Sequence, residues 1–137
     1  MITVTQYVGP HKRSEDWTIA RQINAQKLLA ACLLLENDAI ADGVEFHDNP
    51  ATKSGVSGKT FGGFRPQACP QGAPNSNHKE GLAVDRYDPE NKIDDWCMAN
   101  LDKLEARGIW IEHPDATHGW SHWQSVPPKS GKRVYRP

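Results

Sequence analysis

Apolar positions recur at three- and four-residue steps over two stretches of the chain and alternate over several shorter ones. Trp17, Ala20 and Ile23, then Leu28, Ala31, Cys32 and Leu35, fall on one side of a helix, because that spacing returns side chains to the same face of a 3.6-residue turn. Ser14 supplies a capping hydroxyl, and Glu15 and Asp16 supply first-turn acids, so a helix is predicted over about 15–36. Asn37 and Asp38 are where it would be interrupted, with 39–41 adding a short turn before Gly43. Ile93, Trp96, Cys97, Leu101 and Leu104 predict a second helix over about 91–106, stopped by Gly108. Residues 44–47 alternate as a short strand. Strands are also predicted at 82–85, 109–112 and 120–124, with a turn beginning at Asp88 and Pro89 and a break at Pro114. Trp96, Trp110 and Trp123 read as core residues. The tail from Pro127 is basic and proline-rich and is expected on the surface. Helices followed by short strands between long loops read as α+β, in one domain spanning 1–137.

Between the first helix and the 82–85 strand, residues 48–77 are mostly Asn, Pro, Gly, Ser, Thr and Lys. A loop of that length inside a compact domain is more often functional than idle. It contains Phe61-Gly62-Gly63-Phe64-Arg65-Pro66, where paired glycines let backbone approach another group closely.

Composition narrows the function. The formal net charge is −1, without the basic excess that a duplex nucleic-acid binder normally carries. The longest apolar run, 28–35, is too short to span a bilayer, so neither nucleic acid nor membrane is an expected partner. The opening MITVTQYVGP lacks a basic n-region and an apolar h-region, and cytoplasmic synthesis is expected. The three cysteines, Cys32, Cys69 and Cys97, form no CxxC pair, which argues against a disulfide framework or a cysteine-rich zinc site. Cys32 and Cys97 read as buried small hydrophobes.

The histidines carry the chemistry. His78 lies in polar loop sequence and Asp85 at the end of a strand, seven residues on. An extended chain would hold them roughly 23 Å apart, so both can reach one metal ion only if the chain doubles back, which Gly81 permits. Ala83 would share a face with Asp85 and leave room for a ligand. His122, on the last strand with Trp120 and Gln124 on its face, is the best third donor. Two histidines and one carboxylate with an open fourth position form the donor set of a catalytic zinc, though other divalent ions would also suit it. On spacing alone this signal is weak, and solvated loop groups are the alternative.

Ser76-x-His78-x-x-Gly81-x-Ala83-x-Asp85 resembles the S-x-H-x-x-G-x-A-x-D signature of the zinc D-Ala-D-Ala carboxypeptidase family. That family includes vancomycin-resistance dipeptidases, phage L-alanyl-D-glutamate endolysins and murein endopeptidases, and the Hedgehog signalling domain shares its fold. Gly63-Phe64-Arg65-Pro66 is similar to the family's S-G-[YF]-R segment, and the run from Glu112 to His122 resembles its closing W-x-H segment. The three segments occur in the family's order over residues 61–124. The resemblance implies a small antiparallel sheet with flanking helices, and Zn²⁺ held by His78, Asp85 and His122. It implies that Arg65 binds substrate near the scissile carbonyl or a terminal carboxylate, for which a guanidinium fork is suited; the alternative is a surface arginine or a structural pair with an acid. Ser76 would orient a ligand or simply cap its loop.

The pattern departs at the general base. One branch has Glu three residues before the last histidine, where this chain has Gly119. Another has His two residues before it, where this chain has Trp120. Glu112 is the base favoured here, with His118 and His113 as the other candidates. The implied activity is that of a zinc metallopeptidase cutting peptidoglycan stem peptides, as a carboxypeptidase or an endolysin-type endopeptidase. It would work as a monomer, virion-associated or on the cell wall after release. The alternative is a catalytically silent zinc module that recognises wall peptide or a virion partner.

Overall fold

The computed structural model describes residues 1–137. Its helices are α1 (Val4–Val8), α2 (Ile19–Ala41), α3 (Lys92–Ala99) and α4 (Leu101–Arg107), and its strands are β1 (Ala83–Tyr87), β2 (Trp110–Glu112), β3 (Trp120–Gln124) and β4 (Val134–Tyr135). Short 3-10 turns lie at Gly9–His11, Asn77–Glu80 and Pro114–Ala116. The architecture is α+β. The strand order is β1-β3-β2-β4, with β3 antiparallel to both neighbours and β4 parallel to β2. The sheet is therefore mixed rather than the antiparallel one expected. The reason is the tail, which does not just lie on the surface. It returns along β2, where the Ile111 N–H donates to the Arg133 carbonyl and the His113 N–H to the Tyr135 carbonyl.

Helix α2 starts later and ends later than its apolar spacing predicts. Thr18 is extended (φ −75°, ψ 163°) and its hydroxyl accepts from the Arg21 N–H at 3.3 Å, which makes it the cap. The Ser14 hydroxyl accepts from the Asp16 N–H instead, within the preceding turn. Asn37 and Asp38 do not interrupt the helix, because Arg107 of α4 grips Asp38 with Nε and Nη2 at 2.7 and 2.9 Å. The single helix predicted over 91–106 is two. Asn100 leaves helical geometry (φ −134°, ψ 47°), and its side chain donates to the Trp96 carbonyl. Asp88 accepts from the Ile93 and Asp94 N–H groups at the start of α3. Gly108, at φ +68°, ends α4 as expected.

No strand forms at 44–47. The free edge of β1 is taken by the long loop instead: Ser57 donates to the Asp85 carbonyl, Tyr87 to Gly55, and Asp85 to Gly62. An exposed strand edge is thereby covered.

The inner face of the sheet (Val84, Ile111, Trp123) packs on Leu28 and Leu35 of α2, Ile93 and Cys97 of α3 and Leu104 of α4. Cys32 and Cys97 are buried free thiols. Trp96 and Trp123 are core, but Trp110 is only half-buried, with the Arg133 guanidinium 4.2 Å from its ring centroid. Also on the core side, Arg86 is buried between Phe46 and Trp123 and pairs with Glu36 at 3.1 Å. Because side chains alternate along a strand, Ala83 and Asp85 of β1 and Trp120, His122 and Gln124 of β3 face the other way. No helix is long and apolar enough to cross a membrane.

Candidate metal centre

Asp85 and His122 are direct partners in the β1–β3 ladder, which puts their side chains on one face a few ångströms apart. His78 arrives by a tight return of the chain. Ser76 caps the Asn77–Glu80 turn by accepting from the His78 N–H at 3.3 Å, and Gly81 closes it at φ +73°. A side chain on Gly81 would be strained there, and its Cβ would lie 2.5 Å from the Arg21 carbonyl oxygen. The result sets His78 Nε2 3.2 Å and His122 Nδ1 2.9 Å from the same oxygen, Asp85 Oδ1. The candidate ligand atoms of the three residues all lie within 4.8 Å of one another, and all three residues are buried.

The surroundings leave these atoms suited to a cation. His78 Nδ1 is 2.8 Å from the Gly63 carbonyl oxygen. A carbonyl can only accept, so Nδ1 carries the proton and Nε2 of the neutral ring presents a lone pair. That lone pair points at a carboxylate oxygen, an arrangement that repels unless a proton or a metal ion lies between. Arg65 Nη2 donates to Asp85 Oδ2 at 3.2 Å, which occupies the carboxylate's other oxygen and leaves Oδ1 for the cluster. Ligands of a tetrahedral zinc stand roughly 3.3–3.4 Å apart, near the two distances to Asp85 Oδ1. Burial alone would push the Asp85 carboxyl up, but with the imidazoles protonated the charge of His78 and hydrogen bonds from His122 and His78 hold it well below the usual carboxylate range. For His122, burial pushes the imidazole down, and the Asp85 hydrogen bond and charge outweigh it, leaving it raised. The cluster favours net positive charge at its centre.

The paired glycines of the 61–66 segment explain why that sequence belongs to this site. The Gly62 carbonyl accepts from Asp85 and the Gly63 carbonyl from His78. Neither position has room for a Cβ, which would run into the Ser57 carbonyl at Gly62 and the Tyr7 carbonyl at Gly63.

The cluster lies in a cleft of about 1060 Å³ lined also by Lys59, Phe61, Glu112, Trp120 and Tyr135. Arg65 is buried and committed on three sides: Nε donates to the Phe61 carbonyl at 2.7 Å, Nη1 to Gln71 at 3.4 Å and Nη2 to Asp85. Its geometry is that of a brace on Asp85. Ser76 serves as the turn cap and also borders the cleft. Glu112, at the end of β2, sets Oε1 3.8 Å from His122 Nδ1. His113 turns to Asp115 and Arg136, and His118 is exposed; neither lines the cleft. Gly119, where a glutamate would complete one branch of the resemblance, has φ +95°, a conformation that disfavours any other residue.

Two further residues touch the site. Gln124 bonds His122 Nε2, and Tyr135 bonds Gln124. Strand alternation places Gln124 on the face of His122. Nothing in the pattern of a basic, proline-rich tail signals that Tyr135 reaches back. No family model, no curated protein and no solved structure matches the chain.

Proposed function

We propose that this protein is a zinc-dependent peptidase that hydrolyses peptide bonds in peptidoglycan stem peptides. The observation that carries the reading is the convergence of His78, Asp85 and His122 at the base of a cleft, with the Glu112 carboxylate 3.8 Å from His122. His78, Asp85 and His122 would hold the metal. Zinc bound there would supply Lewis acidity and make water a competent nucleophile near neutral pH. Glu112 takes a proton from the attacking water and returns it to the leaving amine. Arg65 holds Asp85 in place, and Trp120 walls the substrate. A cleft of about 1060 Å³ is at the upper end of small-ligand pockets and admits a short peptide. Release to the cell wall, as a phage or prophage lysin or a wall-remodelling enzyme, belongs to the same reading.

A second reading is a silent zinc module that recognises wall peptide. The specific observations that favour it are Gly119 where a catalytic glutamate would stand and an Arg65 whose donors are already engaged. The test is incubation of zinc-loaded protein with purified peptidoglycan, an EDTA-treated control and mass spectrometry of soluble fragments. Metal-dependent fragments support the peptidase. Zinc bound with no fragments released supports the module.

A further inference from the structure

Gln124 is 1% exposed, and both ends of its side-chain amide are hydrogen-bonded. Its Nε2 is 2.8 Å from the Val126 carbonyl oxygen, its Oε1 2.9 Å from His122 Nε2, and the Tyr135 hydroxyl 2.5 Å from the same Oε1. A carbonyl only accepts, so the Val126 contact fixes the amide with its NH₂ toward Val126 and its oxygen toward His122. An amide oxygen also only accepts. His122 Nε2 must therefore carry a proton, and Tyr135 must donate. In the neutral ring the lone pair then sits on Nδ1, the nitrogen 2.9 Å from Asp85 Oδ1.

We infer that Gln124 and Tyr135 are positioning residues which hold His122 in its Nε2–H tautomer, so that Nδ1 is the nitrogen that coordinates metal. The inference rests on the metal-centre reading above and on no assumption about turnover. The two residues come from different strands. Gln124 ends β3, next to β1, and Tyr135 lies in β4, at the far edge of the sheet. The tail is thus part of the site, since it brings the hydroxyl that keeps the Gln124 oxygen turned inward. Groups that hold the second nitrogen of a metal-binding histidine fix its ring and its basicity, and their loss typically costs about 10–100-fold in metal affinity.

The test uses the full chain with ¹⁵N-labelled histidine, titrated with Zn²⁺ alone, with affinity read by competition against a chromogenic chelator. The expected spectrum shows His122 protonated at Nε2 and metal-bound at Nδ1. Gln124→Leu is expected to weaken zinc binding about 10–100-fold, and Tyr135→Phe, which removes one of two donors to the same oxygen, by roughly tenfold. A purely structural role would lower thermal stability yet leave the metal-bound nitrogen and the affinity as they were, and that outcome overturns the inference. Zinc bound through Nε2 of His122 overturns it too, while leaving the metal centre standing. No zinc bound to the wild-type chain overturns both. The wild-type tautomer is read without any variant, so a variant that fails to fold does not remove the test.

Discussion

Asp94 is fully buried in α3, close behind the strand that carries His122, and it sets a pH dependence of stability. Its Oδ2 accepts from the Thr117 hydroxyl at 2.7 Å, and its Oδ1 has no hydrogen-bond partner. Burial pushes its carboxyl up from 3.8 to about 6, against the lowering effect of the nearby Ser121 and Thr117 hydroxyls, with the neighbouring Asp88 adding to the rise. In the unfolded chain the group ionises near 3.8; in the folded chain it holds its proton to about 6. Between those values the folded state binds the extra proton, so stability falls as pH rises. The contribution is fully present below about pH 3.8 and is lost by about pH 6. At roughly 1.4 kcal/mol for each pH unit, the loss is about 3 kcal/mol. Asp94→Asn cannot ionise. Its own amide carries some fixed cost in the same pocket, but that cost does not vary with pH. The assay is urea denaturation of both proteins with EDTA present at steps from pH 4 to 7.5. The wild type is expected to lose about 3 kcal/mol relative to the variant across that window. Two stability curves that stay parallel would rule out the buried proton and place the ionised carboxylate in a better-solvated site than the structure shows.

Other expectations concern the cleft. Glu112→Gln should bind zinc as the wild type does and lose peptide hydrolysis by roughly 10²–10⁴-fold, the usual share of a general acid–base group; full turnover would move proton transfer to another residue. Gly63→Ala forces a Cβ against the Tyr7 carbonyl and pushes away the carbonyl that holds His78, so it should cost about 1–3 kcal/mol or more and weaken zinc binding. Unchanged melting and zinc affinity would show that the 61–66 segment can move aside freely.

The parts of the site readable from the sequence were those governed by strand alternation and by the shape of one motif. Asp85 and His122 share a face because each lies one step along its strand from a core-facing residue, Val84 or Trp123, and Gly81 marks where the chain turns from His78 into β1. The helical faces were legible for the same reason: Leu28, Cys32 and Leu35 of α2 are buried together, as their spacing requires. What was not legible depends on contacts between distant segments. Thr18 rather than Ser14 caps α2, and Asp38 stays helical because Arg107, 69 residues away, holds it. The break at Asn100 turns on one side chain bonding back to Trp96. Strand β4 has two residues, too short to show alternation, and its pairing with β2 decides both the mixed sheet and the position of Tyr135. For Arg65 the motif implies a substrate arginine and leaves a structural pair with an acid open; its hydrogen bonds to Phe61, Gln71 and Asp85 depend on loop contacts that the motif does not specify.

His78, Asp85 and His122 are proposed to hold one divalent ion together. The decisive measurement is equilibrium dialysis against Zn²⁺, with metal per chain determined by elemental analysis for the wild type, His78→Ala and His122→Ala. One zinc per wild-type chain is expected, with none retained in either variant. Zinc should also raise the melting temperature of the wild type alone, since a ligand that binds only the folded state stabilises it. One zinc in all three proteins, or none in the wild type, would contradict that assignment.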